Sequence, residues 1–286
     1  MDSDDGSEGA IHLQFDMHEA VEAGDADKLR QLLAKAKKDA QPSLAGAADG
    51  GGSDDEDDDF DPEARQVALA SAEERDWMEL TPLFLSMMYR SMPCLKACLD
   101  HEVELLAYCE GTPVVQYLFT VGLQDGAAEF VSEALPLLLG AGAPVTATDH
   151  AGRTALAAAA ATGHAEWLQP VLDAYKRHLC AEAEDLAALH AARAAEGAPG
   201  VQGLQPPAPP SEEEQAAAIT RWANSRDAQG RTALHEGAEA GASAVVEALL
   251  SLGVDTAPLD AWGNVPAHLA AAAGAGDLAK SLGAGD

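Results

Sequence analysis

Four side chains that can bind zinc lie within one short stretch of the sequence. Cys94 and Cys98 are spaced i, i+4, which places both thiols on one face of a helix, and His101 and Cys109 follow. Thiolates and imidazoles at short spacings are the usual ligands of structural zinc sites. The same two cysteines also fall where a helix needs small apolar residues, and free cysteine is often buried. We therefore predict core cysteines, no metal and no cofactor.

Motifs for catalysis are missing from the rest of the sequence. It contains no phosphate-binding P-loop, no nucleophile elbow and no H-E-x-x-H sequence. Gly274-Ala-Gly276 is similar to part of a dinucleotide-binding fingerprint, but no predicted strand precedes it. Four cysteines in 286 residues also do not make a disulfide framework. The sequence therefore predicts that the protein is not an enzyme.

Three segments share a pattern in which a turn precedes an alanine-rich helix. Asp227–His235 and Asp260–His268 align without gaps, 33 positions apart, and Asp149–Ala157 is a third copy. The glycine of each D-x-x-G permits a turn with positive φ. The threonine that follows is suited to cap a helix, and alanines let a neighbouring helix approach closely. Each copy therefore predicts a turn and a short helix that stacks on the next.

These residues resemble the repeat of the ankyrin family, which reads approximately D-x-x-G-x-T-P-L-H-x-A-A-x-x-G-H and then V-x-x-L-L-x-x-G-A. Degenerate copies include Thr81-Pro82-Leu83 and Thr112-Pro113-Val114, so six repeats are expected, with threonine-equivalent positions at 15, 81, 112, 154, 232 and 265. The resemblance covers about two-thirds of the chain. It implies an all-α solenoid of stacked helix-turn-helix units that binds proteins through a groove of turns and first helices.

Uneven spacing of the copies predicts two long insertions. The first contains the run Asp54–Asp59, which repels itself and cannot form a core, although its length leaves a hidden degenerate repeat open. The second has a helical stretch at Ala181–Ala195, a proline-rich linker and a helix with Ser211 and Glu214 as its capping box. The predicted segments are an acidic tail at 1–14, repeat one at 15–36, an acidic disordered insertion at 37–75, repeats two to four at 76–176, a helical and proline-rich insertion at 177–226, and repeats five and six at 227–286.

The charge balance indicates the kind of partner. The chain has 48 acidic and 17 basic residues and a formal net charge of −31, so nucleic acid and anionic membranes would be repelled. Between Lys96 and Arg153 every one of the eight charged residues is acidic. Solubility alone also explains an acidic surface, but a basic protein client explains it equally well. The acidic patch expected to attract that client consists of Asp54, Asp55, Glu56, Asp57, Asp58 and Asp59.

Side chains at the turn tips and on the first helices are the expected contacts with a partner. Two of the four tryptophans lie at tips, and interfaces favour tryptophan and tyrosine, while methionine adapts to irregular surfaces. An aromatic tip that folds over its neighbour is the structural alternative. The predicted partner-binding residues are Trp77, Met78, Met88, Tyr89, Tyr108, His150 and Trp262.

Three serines precede acidic residues and resemble sites for an acidophilic kinase. They are Ser3, Ser53 and Ser211, and chance is the alternative in so acid-rich a chain. A phosphate would deepen the negative field there.

The function expected from the sequence is an acidic adaptor or escort chaperone that binds a basic protein client as a monomer. The acidic N-terminus does not resemble a signal peptide, and no apolar run is long enough to span a bilayer, so we expect the cytoplasm, the nucleus or both. The alternative is a targeting factor that binds lipid or apolar membrane segments. An enzyme is the third choice.

Overall fold

The computed structural model describes residues 16–39, residues 81–195 apart from 102, 104, 106, 107 and 110, and residues 208–283. This part of the chain is almost entirely α-helical, which confirms the prediction of an all-α fold. It divides into two compact units, one that ends at Glu110 and one that begins at Gly111. The division falls inside the segment 76–176 that was predicted as repeats two to four.

The first unit contains two pairs of helices. Helix α1 covers residues 16–22 and α2 covers Ala26–Asp39, while α3 covers Pro82–Met88 and α4 covers Met92–Asp100. A two-residue strand, β1, follows at Tyr108–Cys109. Helix α4 packs against both α2 and α3, and the apolar side chains between them are fully buried.

The second unit repeats the pairing of a short helix with a longer one. Its elements are strand β2 (Thr112–Pro113), helices α5 (Val114–Gly122), α6 (Ala128–Gly140) and α7 (Ala155–Ala161), a 3-10 turn (Ala165–Trp167), and helices α8 (Leu168–Ala195), α9 (Glu212–Ala223), α10 (Ala233–Glu239), α11 (Ser243–Ser251), α12 (Pro266–Ala272) and α13 (Gly276–Gly283). The short first helices α5, α7, α10 and α12 pack on one another in that order. Small side chains permit this approach, because six consecutive residues of α7, all alanine except Leu156, are buried.

Helix α5 begins one residue later than the repeat pattern predicts. Its N-cap is Pro113 instead of Thr112, and proline has no N–H to offer. In α10 the side chain three residues after the cap is His235, whose Nδ1 accepts the N–H of the cap residue at 3.1 Å. The equivalent side chain in α5 is Gln116, which donates from Nε2 to the carbonyl of Ala147 at 2.6 Å. Its buried Oε1 has no partner among the described residues, because the proline removed the donor.

Helix α8 overturns the predicted boundary at residue 177. It runs unbroken for 28 residues, so the stretch Ala181–Ala195 continues the second helix of the fourth repeat instead of forming a separate helix. Pro170 lies in the first turn of α8, where a missing N–H is tolerated, and no glycine follows until Gly197. Nothing in the sequence therefore ends the helix where the repeat pattern would.

Candidate protein-interaction surface

Three turns in the second unit have the same hydrogen-bonded conformation. In the first, the carboxylate of Asp149 accepts the N–H groups of Ala151 at 2.9 Å and of Arg153 at 2.8 Å. Gly152 between them has φ of 78°, a conformation that favours glycine. The turns that begin at Asp227 and Asp260 have the same bonds at 2.7–2.9 Å. The D-x-x-G pattern therefore acts locally, through one aspartate and one glycine.

Each of these turns also donates one backbone N–H to the carbonyl of the turn before it. The three bonds run from His150 to Gly111 (3.1 Å), from Ala228 to Ala151 (2.7 Å) and from Ala261 to Gln229 (2.8 Å). Such bonds hold the tips of successive turns at a fixed spacing. We call this set the turn row, and it consists of His150, Ala151, Ala228, Gln229, Ala261 and Trp262.

The turn row presents large side chains to solvent. His150 and Gln229 are exposed, and Trp262 is 65% exposed. The aromatic tip at Trp262 thus lies open in this structure. Two of the predicted contacts, His150 and Trp262, therefore belong to one hydrogen-bonded row of the second unit.

Two arginines beside the turn row are paired with the protein's own carboxylates. Arg153 Nε lies 2.8 Å from Asp149 Oδ2, and Arg231 Nε lies 3.2 Å from Glu236 Oε1. Arg231 is also paired with Glu239. Burial raises the pKa of Glu236, and the positive charge of Arg231 opposes that effect. Because both guanidinium groups are neutralised, this part of the surface does not repel a cationic partner.

The sequence analysis missed the ion pairs of Arg231. A signal was present, since Glu236 and Glu239 are spaced i, i+3 on a helix that follows Arg231. Glu236 occupies a variable position of the repeat, which gave it no weight in the pattern.

In the first unit, the residues at the end of α3 have different exposures. Met87 is fully buried, Met88 is half-buried and Tyr89 is 46% exposed. Met87 was expected to pack inward and does so. Tyr108 lies in β1, and its side chain is outside the part of the structure that is described.

The remaining predicted sites are divided between described and undescribed residues. Trp77, Met78, Ser3, Ser53 and the acidic patch Asp54–Asp59 lie outside the described residues. Ser211 is the N-cap of α9, where its hydroxyl oxygen accepts the N–H of Glu214 at 3.3 Å. The carboxylate of Glu214 accepts the N–H of Ser211 at 2.8 Å, which lowers the pKa of Glu214. A phosphate on Ser211 would lie beside that carboxylate and disturb the capping box.

The cysteines have the environment that was predicted for core residues. Cys94 and Cys98 are completely buried in α4, and Cys109 is 5% exposed. Burial raises the pKa of the Cys98 thiol to about 12, so the thiol stays protonated at neutral pH. Within the residues that the structure describes, no three histidine, cysteine or acidic side chains are grouped so as to hold a metal ion.

Comparison with known proteins shows the fold and no more. No protein family matches the sequence, and no curated protein is similar to it. The structure resembles a chain in the complex of the Bd0816 predatory endopeptidase from Bdellovibrio bacteriovorus with immunity protein Bd3460, with a TM-score of 0.55 and 19% sequence identity. The match covers 95% of this chain and 98% of that chain. In the described residues, no helix is both long and apolar enough to cross a membrane.

Proposed function

We propose that this protein is an ankyrin-type repeat protein that binds a basic protein client, as an adaptor or an escort chaperone. The proposal rests on the D-x-x-G-x-T repeats of the sequence and on the stacked helix pairs of the second unit. Repeats of this kind bind partners through exposed turns and first helices. Binding, and not catalysis, is the activity that this arrangement favours.

The turn row is the observation that carries the proposal. Backbone hydrogen bonds fix its tips, so its side chains lose little further freedom when a partner docks. Trp262 and His150 are exposed along it, and a large exposed aromatic side chain is a common anchor of interfaces. The contact predicted at Tyr89 in the first unit is exposed as well.

The basic character of the client follows from charge. A net charge of −31 attracts cationic proteins over a distance set by ionic strength. Arg153 and Arg231, the cations next to the turn row, are already paired with Asp149, Glu236 and Glu239. A protein partner is also in line with the structural neighbour, whose own structure is that of a protein–protein complex.

Salt dependence tests the proposal against a targeting factor for apolar segments. The client is first captured from native lysate on the immobilised full chain, identified by mass spectrometry and purified. Its affinity is then measured by calorimetry at about 0.05 M and about 0.5 M NaCl. A basic client binds more weakly at high salt, whereas an apolar segment binds equally or more tightly. Binding that strengthens with salt would favour the targeting factor and contradict the proposal.

A matched pair of variants locates the contact. Trp262→Ala removes an anchor of the turn row, and Leu123→Ala removes a leucine of the same unit that is 63% exposed but lies outside that row. Loss of an aromatic anchor costs on the order of 2 kcal/mol, or about thirtyfold in affinity. Equal affinities of the two variants for the client would exclude the turn row as its binding site.

A further inference from the structure

The side of the second unit beyond α12 lacks the contacts that hold the earlier repeats together. Between the turns at Asp227 and Asp260, three groups of the earlier repeat reach the later one. The guanidinium of Arg226 donates to the carbonyl of Leu259 at 2.9 Å, and the carbonyl of Gln229 accepts the N–H of Ala261 at 2.8 Å. The imidazole of His235 reaches the carbonyl of Asn264 from Nε2 at 3.3 Å.

The same three positions one repeat later carry Leu259, Trp262 and His268. Leu259 is 55% exposed, Trp262 is 65% exposed, and His268 is exposed where its counterpart His235 is completely buried. Ala271 is likewise exposed, although the equivalent Ala238 is fully buried by the following helix. We call Leu259, Trp262, His268 and Ala271 the end face.

The end face retains one hydrogen-bond acceptor and one donor. The Trp262 carbonyl is in the position of the accepting Gln229 carbonyl, and no described residue donates to it. His268 Nδ1 accepts the N–H of Val265 at 3.4 Å, so Nε2 carries the proton, and no described group accepts it. A set of one acceptor and one donor on the same face is self-complementary across a two-fold axis.

The end face also differs from the rest of the chain in charge and polarity. Residues 261–276 contain no Asp, Glu, Lys or Arg in a protein whose net charge is −31. Leu259 stands where the earlier repeat has Arg226, and Trp262 stands where it has Gln229, so polar groups are replaced by apolar ones. Two copies of so acidic a chain can approach closely only where neither presents a charge.

We infer that the end face is the contact surface of a homodimer, in which a second copy of this chain packs the same face against it about a two-fold axis. Trp262 and Leu259 supply the apolar contact, and the Trp262 carbonyl of each copy accepts from His268 Nε2 of the other. The surface is small, so the dimer is weak and the dilute protein is monomeric. The inference does not depend on the proposed client.

Sedimentation equilibrium of the full chain tests this inference. Over about 5–500 µM protein the average mass should rise from monomer towards dimer, as expected of a small interface. Association should be stronger at about 0.5 M than at about 0.05 M NaCl, because salt screens the repulsion between two acidic chains. A protein that stays monomeric throughout overturns the inference and leaves the end face to a different partner.

Three variants test whether the association uses the end face. Trp262→Asp should raise the dimer dissociation constant by about tenfold or more, since it adds a charge to each side of the contact. Leu123→Asp, which adds the same charge at an exposed leucine elsewhere in the unit, should leave it unchanged. Leu259→Lys provides a second end-face variant if circular dichroism shows Trp262→Asp to be misfolded. A dimer that ignores both end-face variants, or is weakened equally by Leu123→Asp, contradicts the proposed contact.

Discussion

At the scale of single residues, His235 links two repeats through both nitrogens of its ring. Nδ1 accepts the N–H of Thr232 at 3.1 Å, and Nε2 donates to the carbonyl of Asn264 at 3.3 Å. These bonds specify the neutral tautomer with the proton on Nε2. Burial lowers the pKa of His235, and the hydrogen bond to Asn264 opposes that change without reversing it. Protonation would destroy the acceptor at Nδ1 inside a buried site.

The depressed pKa of His235 predicts a loss of stability in mild acid. Below the ordinary histidine pKa of about 6.5 the unfolded chain takes up a proton that the folded chain does not. The stabilisation is therefore complete above that pH and is lost as pH falls, at no more than about 1.4 kcal/mol per pH unit for one proton. His235→Gln keeps a donor and an acceptor but does not titrate, and Gln116 already occupies the equivalent position of α5.

Urea unfolding followed by circular dichroism between pH 7.5 and pH 5 compares the two proteins. The wild type should lose more free energy of unfolding than His235→Gln over this range, because other titrating groups are common to both. Parallel pH profiles would show that His235 is not the group responsible.

Burial also predicts the order in which the cysteines react. Cys94 and Cys98 are completely buried, and burial raises the pKa of Cys98 to about 12, so neither should react with a thiol reagent in the folded protein. Cys180 on α8 is only half-buried and should react first. Labelling at pH 8 followed by peptide mapping measures this, with all four cysteines labelled in denaturant as the control. Rapid labelling of Cys98 before unfolding would contradict the core assignment.

At the scale of helices, Trp167 joins α5, α6 and the 3-10 turn. Its ring is stacked 4.2 Å from His164 and 6.0 Å from Phe119, measured between ring centroids. Its Nε1 donates to the hydroxyl of Ser132 at 2.9 Å, so the one polar atom of the indole is satisfied. Gly122 leaves room for this buried ring at the end of α5. Helix packing here depends on the absence of a single methyl group.

A methyl group at position 122 should therefore destabilise the second unit. The Cβ of Gly122→Ala would lie 2.9 Å from Cζ3 of Trp167, and a buried indole has little space to move. We expect a loss of about 1–3 kcal/mol in the free energy of unfolding. Gly140→Ala is the matched control, because Gly140 is also the last residue of its helix and nothing lies within 4 Å of the added carbon. Equal stabilities of the two variants by urea unfolding would disprove the close contact.

At the scale of the whole molecule, acidic charge is expected to act on the rate of association more than on folding. The proposed client is attracted by a net charge of −31, while its affinity comes from a few anchors such as Trp262. Long-range attraction falls off within about 10 Å at 0.1 M salt. Charge and anchors therefore affect different kinetic constants.

Neutralising the acidic patch separates these contributions. Replacing Asp54–Asp59 by asparagine and glutamine should slow association with the client by about tenfold at low salt, with little change in dissociation. The difference should shrink at about 0.5 M NaCl, and the melting temperature should stay the same. Stopped-flow or biosensor kinetics with the purified client measure both rates. A faster dissociation with an unchanged association rate would mean that the patch makes direct contacts.

The sequence alone predicted the helical class, the turns and the positions of the exposed tips. These features depend on neighbouring residues, because one aspartate and one glycine define each turn and alanine permits close helix packing. The same local logic predicted that Cys94 and Cys98 lie in the core. It was wrong about the start of α5, since a cap at Pro113 or Thr112 differs only in contacts with the rest of the fold.

Only the tertiary structure decided which side chains meet across repeats. The pairing of Arg231 with Glu236 and Glu239, and the fit of Trp167 over Gly122, join residues whose sequence spacing carries no fixed pattern. The continuity of α8 through the predicted boundary was also decided by packing, because α9 holds it through the stack of Trp222 on Tyr175, with ring centroids 4.2 Å apart. Burial likewise distinguishes His235 from His268, which occupy the same position of the same motif. Their difference arises because a later repeat covers one of them and no described residue covers the other.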